Sequence, residues 1–270
     1  MRHPKLPDPQ RVIACLRETS AEDILPRFRS LKAGEVMQKG PDDPVTVADI
    51  ASEKRLTRML ADLVPGSVVV AEEAVFRDPA LLDLLEGDRP VWLIDPIGGT
   101  KTFLRGEAGF GIYVSLLQDG RALAGWVHDP VSGETSYAAL GEGAWEDGRR
   151  IAVAEGGPLS EMRCYVHPNV YGYEEGEAVR ARQSAFREVV PLGSVGAAFR
   201  ALSVGRVHVG VFASMWQWDH APGMLIYREA GGYAARRDGA PYSAIEKFRG
   251  LLAAPDAESW RLADDLLKLN

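Results

Sequence analysis

Apolar residues recur at helical spacing through residues 8–32, at Val12, Ile13, Leu16, Ile24, Leu25 and Phe28, and predict an amphipathic helix. A polar break follows over 39–44. A second helix is expected over 46–63, stopped by Pro65-Gly66. The β-branched run 67–71 predicts a strand and ends in Glu72-Glu73. A short helix is expected over 78–86. A second apolar run, 91–94, ends at Asp95-Pro96. Strands over 111–117 and 122–128 flank Asp119-Gly120, which is hairpin turn chemistry. The glycine-rich stretch 141–150 reads as a loop and sheet edge. Beyond it, strands over 162–166, 187–190 and 207–212 alternate with helices over 174–185, 195–204 and 221–230. Gly231-Gly232 stops the last of these. A final amphipathic helix covers 256–269. Strand-rich first half and alternating second half predict an α+β chain with two lobes, 1–150 and 151–270, in one compact unit.

Composition narrows the function classes. The chain has 270 residues, of which 46% are hydrophobic, enough for a packed core and against disorder. Its formal charge is −7 and no basic stripe is present, so a nucleic-acid polymer is not an expected partner. An acidic protein that handles anionic substrates must build a local positive centre, and metal ions can provide it. Cys15 and Cys164 are too few for a disulfide framework or a CxxC metal site, and two thiols in a reducing compartment are expected. The opening MRHPKLPDP lacks the apolar stretch of a signal peptide. No apolar run reaches the roughly 18 residues of a membrane span. Cytoplasm is therefore the expected location.

Three carboxylate-bearing segments carry candidate chemistry. Glu72-Glu73 follows one predicted strand, Asp95 ends another, and Trp218-Asp219 opens a predicted helix. Strand ends in α/β architectures point into one crevice, so such acids can converge. An all-oxygen ligand set suits a hard cation such as Mg²⁺, and two such ions would clamp the attacking and leaving oxygens of a phosphoryl transfer. Gly98-Gly99-Thr100 reads as a phosphate cradle, because glycines admit close backbone approach and a helix starting at Thr100 would face an anion. It reads equally as an ordinary tight turn. Asp49, three residues after Thr46, is either a capping acid or a partner of Thr100 that orients a water. Asp95 also reads as a turn residue, Glu72 and Glu73 as surface charges, and Asp219 as a helix cap. His3, His128, His167, His208 and His220 show no metal-ligand spacing, and structural roles are expected for them. Trp216 and Trp218 are expected to pack in the core or at a subunit contact.

The ordered set resembles the inositol monophosphatase superfamily. The segments are Asp43-Pro44-Val45-Thr46-Val47-Ala48-Asp49, Ala71-Glu72-Glu73 and Trp92-Leu93-Ile94-Asp95-Pro96-Ile97-Gly98-Gly99-Thr100, then Trp218-Asp219 with Glu229-Ala230-Gly231-Gly232 behind it. The resemblance implies an alternating α/β/α/β/α sandwich, often a homodimer, that hydrolyses a small phosphorylated metabolite with Mg²⁺, two or three ions in the family and fewer here. By position it implies Glu72, Asp95 and the Ile97 carbonyl as first-metal ligands, and Asp95 with Asp219 at a second metal. It implies Asp49 and Thr100 as the pair that activates water, with Glu72 at the catalytic centre. Gly98, Gly99 and Thr100 would bind phosphate, Gly193-Ser194 would form a substrate-side turn, and Glu73 would stand behind Glu72.

Two departures stand out. Where the family pattern has a second aspartate, this chain has Gly98, so one second-metal carboxylate is missing and weaker binding of that ion is expected. Glu73 and Glu107 are candidate substitutes. Phe212 stands seven residues before Asp219, where relatives acting on inositol phosphates carry a glutamate; an apolar side chain there argues against that substrate. Sugar, histidinol and nucleotide 3′-phosphates remain, and Lys101 fits the nucleotide and histidinol branches. The alternative is a catalytically weak phosphatase-fold protein that binds a phosphorylated ligand. Pro222 is expected in a first helical turn.

Overall fold

The computed structural model describes residues 6–173 and 175–268, apart from the side chains of Glu175 and Ser214. Five layers alternate. Helices α1 (Pro9–Thr19) and α2 (Val47–Leu63) cover one face of a seven-stranded sheet. That sheet runs in chain order: β3 (Val68–Ala71), β4 (Val91–Gly98), β5 (Gly111–Gln118), β6 (Arg121–His128), β7 (Thr135–Ala139), β8 (Gly143–Glu146) and β9 (Arg149–Arg150). Only the β3–β4 pair is parallel. Helices α6 (Val195–Ser203) and α7 (Gln217–Glu229) lie between this sheet and a five-stranded one. The second sheet has the order β11 (Glu188–Val189), β10 (Arg163–Val166), β12 (Val209–Met215), β14 (Phe248–Ala254), β13 (Tyr233–Arg236). Helices α5 (Glu175–Arg182) and α8 (Ala257–Leu267) close the outside. The α/β/α/β/α sandwich expected from the sequence is therefore the fold.

The first helix is shorter than its periodicity suggests. Asp8 caps α1 and Pro9 opens it. After Thr19 the chain widens into a π-turn over Ser20–Ile24 and closes with one 3₁₀ turn, Leu25–Arg27. Pro26 has no amide proton and Arg29 takes a positive φ, so the helix cannot reach residue 32. The expected polar break over 39–44 is instead a hairpin, β1 (Val36–Gly40) with β2 (Asp43–Thr46), turning at Asp42. Its residues are mostly exposed, so no apolar alternation announced it.

Other differences have local causes. The expected helix over 78–86 is a 3₁₀ run, Pro79–Glu86. Strands β8 and β9 occupy much of the stretch 141–150 read as a loop and sheet edge, and β7, β13 and β14 were not anticipated. The ends of two expected helices, residues 174 and 269, lie outside the described residues. Helix α7 begins at Gln217, so Asp219 sits in its first turn and Trp216 is the cap residue. Pro222 accordingly falls in the second turn, not the first. Its backbone there lies against Gly125 of β6, where an added Cβ would come within 2.9 Å of it. Among the described residues, no helix is long and apolar enough to cross a membrane.

Candidate active site

Four segments bring the site together. Helix α2 starts with a capping box: Thr46 Oγ1 accepts from the Ala48 and Asp49 amides, and the Thr46 amide donates to Asp49 Oδ2 at 2.8 Å. The Thr46 hydroxyl also donates to Asp49 Oδ2 at 2.5 Å. Capping uses only one oxygen of Asp49; the second, Oδ1, faces the Thr100 hydroxyl at 3.4 Å. Thr100 opens α4 (Thr100–Leu104) and also donates to the Ile97 carbonyl at 3.1 Å. Gly99 precedes it with φ of 91°, a left-handed value that glycine adopts without strain.

Asp95 lies at the floor, 1% exposed, just before a β-bulge that separates it from Gly98. Glu72 and Asp219 are its charged neighbours. Its Oδ1 receives no hydrogen bond from any described donor. Glu72 and Glu73 begin helix α3 (Glu72–Arg77), so the short parallel strand β3 delivers them directly beside β4. Asp219 reaches the same place from the first turn of α7.

The sequence reading missed Lys39. Hairpin β1–β2 carries it inward until its side chain is 5% exposed, with Nζ 2.7 Å from Glu72 Oε1 and 2.8 Å from Glu73 Oε1. A single lysine among polar residues leaves no pattern; only the hairpin reveals its role. Glu73 is also held by its amide, which donates to Glu53 Oε2 at 2.7 Å. Glu73, one candidate substitute ligand, is bonded to Lys39 just as Glu72 is, and Glu107, the other, is exposed and paired with Arg105.

Tyr113 was likewise hidden, since it reads as one more apolar strand position. Its ring lies over Gly98, and its hydroxyl is 3.0 Å from the Gly98 carbonyl and 2.6 Å from Ser194 Oγ. Ser194 caps α6 by accepting from the Ala197 amide, and the Gly193 carbonyl accepts from Thr102 Oγ1 at 2.6 Å. The Gly193-Ser194 turn thus stands against Gly99, with its polar atoms bonded within the protein. His220 is buried in the core, bonded to Tyr242 and facing Phe248. Trp218 is buried and stacks on the half-exposed Trp216, whose ring lies 3.3 Å from Lys247 Nζ. Phe212 stacks on Phe199 in the core, and Lys101 pairs with Asp42.

The sequence model of the inositol monophosphatase family matches residues 9–269. This chain belongs to the inositol monophosphatase family. The fructose-1,6-bisphosphatase/inositol-1-monophosphatase of Thermotoga maritima is 33% identical over 211 residues, 77% of this chain and 77% of that protein. The inositol-1-monophosphatase of Mesorhizobium japonicum is 29% identical over 221 residues, 78% and 79% of the two chains. Among solved structures, a Thermotoga maritima IMPase matches with a TM-score of 0.79 at 26% identity, covering 94% of this chain and 96% of that one. The extragenic suppressor protein SuhB of Bartonella henselae shares the fold with a TM-score of 0.82 at 22% identity, covering 96% and 97%. As a member of this family the chain is a phosphoric monoester hydrolase, and the family implies Mg²⁺.

The residues fit one such ion. Glu72, Asp95 and the Ile97 carbonyl present only oxygen donors, and waters commonly complete a Mg²⁺ shell. The bare Asp95 Oδ1 is the buried acceptor such an ion would satisfy. Among the described residues, no three acidic, histidine or cysteine side chains stand as a finished shell. The space that a side chain at position 98 would take holds the Tyr113 ring.

Buried acids set the electrostatics. Burial pushes Asp49 up to about 7 despite the Thr46 hydrogen bonds, and pushes Asp219 up to about 6. Burial and the neighbouring charges of Glu72 and Asp219 hold Asp95 well above the usual carboxylate range. Without a cation, folded carboxyls keep protons that the unfolded chain has released. Their stabilisation is therefore lost as pH rises through these folded values. Buried His128, His167 and His220, lowered to about 4, 4 and 3, act oppositely below the ordinary value of 6.5. The clean window lies above it. The melting temperature of the chelated protein is expected to fall between pH 6.5 and about 8, and Mg²⁺ is expected to flatten that slope. A melting temperature that rises across this window would contradict a buried acid cluster.

Proposed function

We propose that this chain hydrolyses a small phosphate monoester by direct attack of water, using a divalent cation held by Glu72, Asp95 and the Ile97 carbonyl. The observation that carries the reading is the convergence of Asp49, Thr100, Glu72, Asp95 and Asp219 from four separate segments. Mg²⁺ would supply Lewis-acid stabilisation of charge on the phosphoryl and leaving oxygens. Asp49 Oδ1 and the Thr100 hydroxyl, 3.4 Å apart, form the pair that orients the attacking water. With its pKa near 7, Asp49 exchanges a proton close to neutrality, which suits a general base. The backbone at Gly99 and Thr100 is the phosphate-binding segment. Lys39 keeps Glu72 and Glu73 together and offsets part of their charge.

Substrate selection follows from what surrounds the acids. Phe212 is buried against Phe199, so no carboxylate at that position reads a ring hydroxyl. Lys247 lies over Trp216 and within electrostatic reach of Asp219, so it places a cation near the acid cluster. The preferred substrate is therefore a phosphorylated metabolite other than an inositol phosphate. SaIMPase-II, a solved protein of this fold, holds inositol monophosphate in one structure and 2′-AMP in another.

Phosphate release should be measured on inositol, sugar, histidinol and nucleotide 3′-phosphates at graded Mg²⁺. The expected result is cation-dependent release with inositol phosphate among the poorer substrates. Gly98 and its covering ring favour the second reading, a ligand-binding protein without turnover. No release from any ester, with phosphate-ester binding retained, would establish it.

A further inference from the structure

We infer that Tyr113, Gly98 and Gly196 form one interlocked set in which the tyrosine ring closes a cation position beside Asp95 and Asp219, so that the site takes one divalent ion where a carboxylate at position 98 would allow two. The inference rests on the phosphatase reading and concerns the same cluster.

Strand register starts the argument. Asp95 of β4 pairs directly with Tyr113 of β5, and directly opposed residues project to the same face of a sheet. Tyr113 therefore stands beside the acid at the floor of the site. The bulge after Asp95 then returns Gly98 beneath the ring. A Cβ placed on Gly98 would fall 1.8 Å from Tyr113 Cε2 and 2.3 Å from Cζ. Those separations are near bonding distance, so the first atom of any side chain at 98 collides, whatever its rotamer. A Cβ on Gly196 would fall 2.2 Å from Cε1 and 2.4 Å from Cζ of the same ring. The aromatic edge is thus fitted between two glycines, one on β4 and one on α6.

Hydrogen bonds hold it there. The hydroxyl is bonded to the Gly98 carbonyl and Ser194 Oγ, and Tyr113 is 1% exposed. Swinging the ring away would break both contacts and leave a void against Val127 and Leu225, which share its apolar cluster. Gly98 is consequently not a lone lost ligand. Restoring a carboxylate there requires the ring to leave, and both glycines suit a protein built around the ring.

Manganese titration by equilibrium binding tests this without relying on turnover. Mn²⁺ stands in for Mg²⁺, and ions belonging to the acid cluster are those lost on Asp95→Asn. One such ion per chain is expected in the natural protein, and two in Gly98→Asp/Tyr113→Ala. Gly98→Asp alone should lower the melting temperature and add no ion. Two Asp95-dependent ions in the natural protein would overturn the inference, as would a second ion in Gly98→Asp alone with an unchanged melting temperature. If the double variant does not fold, the natural protein's own stoichiometry still decides, and Tyr113→Phe, which keeps the ring, should retain it. Absence of any Asp95-dependent ion would instead sink the phosphatase reading itself.

Discussion

Asp95→Asn is expected to lower phosphate release by about a thousand-fold, while raising the melting temperature of the chelated protein. The two effects share one cause. Asp95 is 1% exposed, one of its oxygens has no donor, and Glu72 and Asp219 face it. Such an arrangement is costly for a folded chain without a counter-ion, because burial disfavours each charge and neighbouring charges repel. An amide keeps the shape and needs no proton taken up on folding, so the metal-free fold is spared that cost. The same change removes the anionic oxygen that a divalent cation needs. Phosphate release at saturating Mg²⁺ and a thermal melt in chelator measure the two sides. A lower melting temperature in chelator would show instead that Asp95 serves the fold as a hydrogen-bond partner.

Arg200→Ala should produce the largest loss of stability, about 3 kcal/mol, at the low end of values for breaking a buried ion pair. Arg200 projects from α6 with its side chain 8% exposed and bonds Glu146 of β8 and Glu134, with Asp129 at 3.8 Å. Its removal would leave Glu146, 17% exposed, without its cation, and would uncouple the central helix layer from the far end of the first sheet. Burial disfavours the guanidinium charge, yet Glu146 and Glu134 outweigh it and hold its pKa above the ordinary value. Glu134, at 44% exposed, recovers solvent readily, which keeps the estimate low. Denaturant melts of Arg200→Ala and Arg200→Lys measure it. Lysine, unable to reach several carboxylates with a planar fork, should recover only part of the loss.

Much of the site was legible because its residues sit at punctuation points of the chain. Asp49 lies three residues after a capping threonine, Glu72 follows a β-branched run, and Asp95 ends an apolar one. These positions depend on local sequence, and the order of the motifs pointed to the family. Lys39 and Tyr113 were not legible. One lies in a mostly exposed hairpin and the other in an ordinary apolar strand, and neither has a local pattern that marks a site. The extent of the first helix was misjudged because apolar spacing persisted through residues where Pro26 and the turn at Arg29 had already ended it.

The amino-acid sequence by itself determined the layer types, the helix caps, the candidate acids and the absence of a carboxylate at position 98, since each follows from residue type and near neighbours. Tertiary structure alone decided what stands over Gly98. The answer depended on a strand register pairing Asp95 with Tyr113, on a bulge that brings Gly98 under the ring, and on Gly196 arriving from a helix nearly a hundred residues later. Steric exclusion between residues so distant in the chain acts only after the layers have packed.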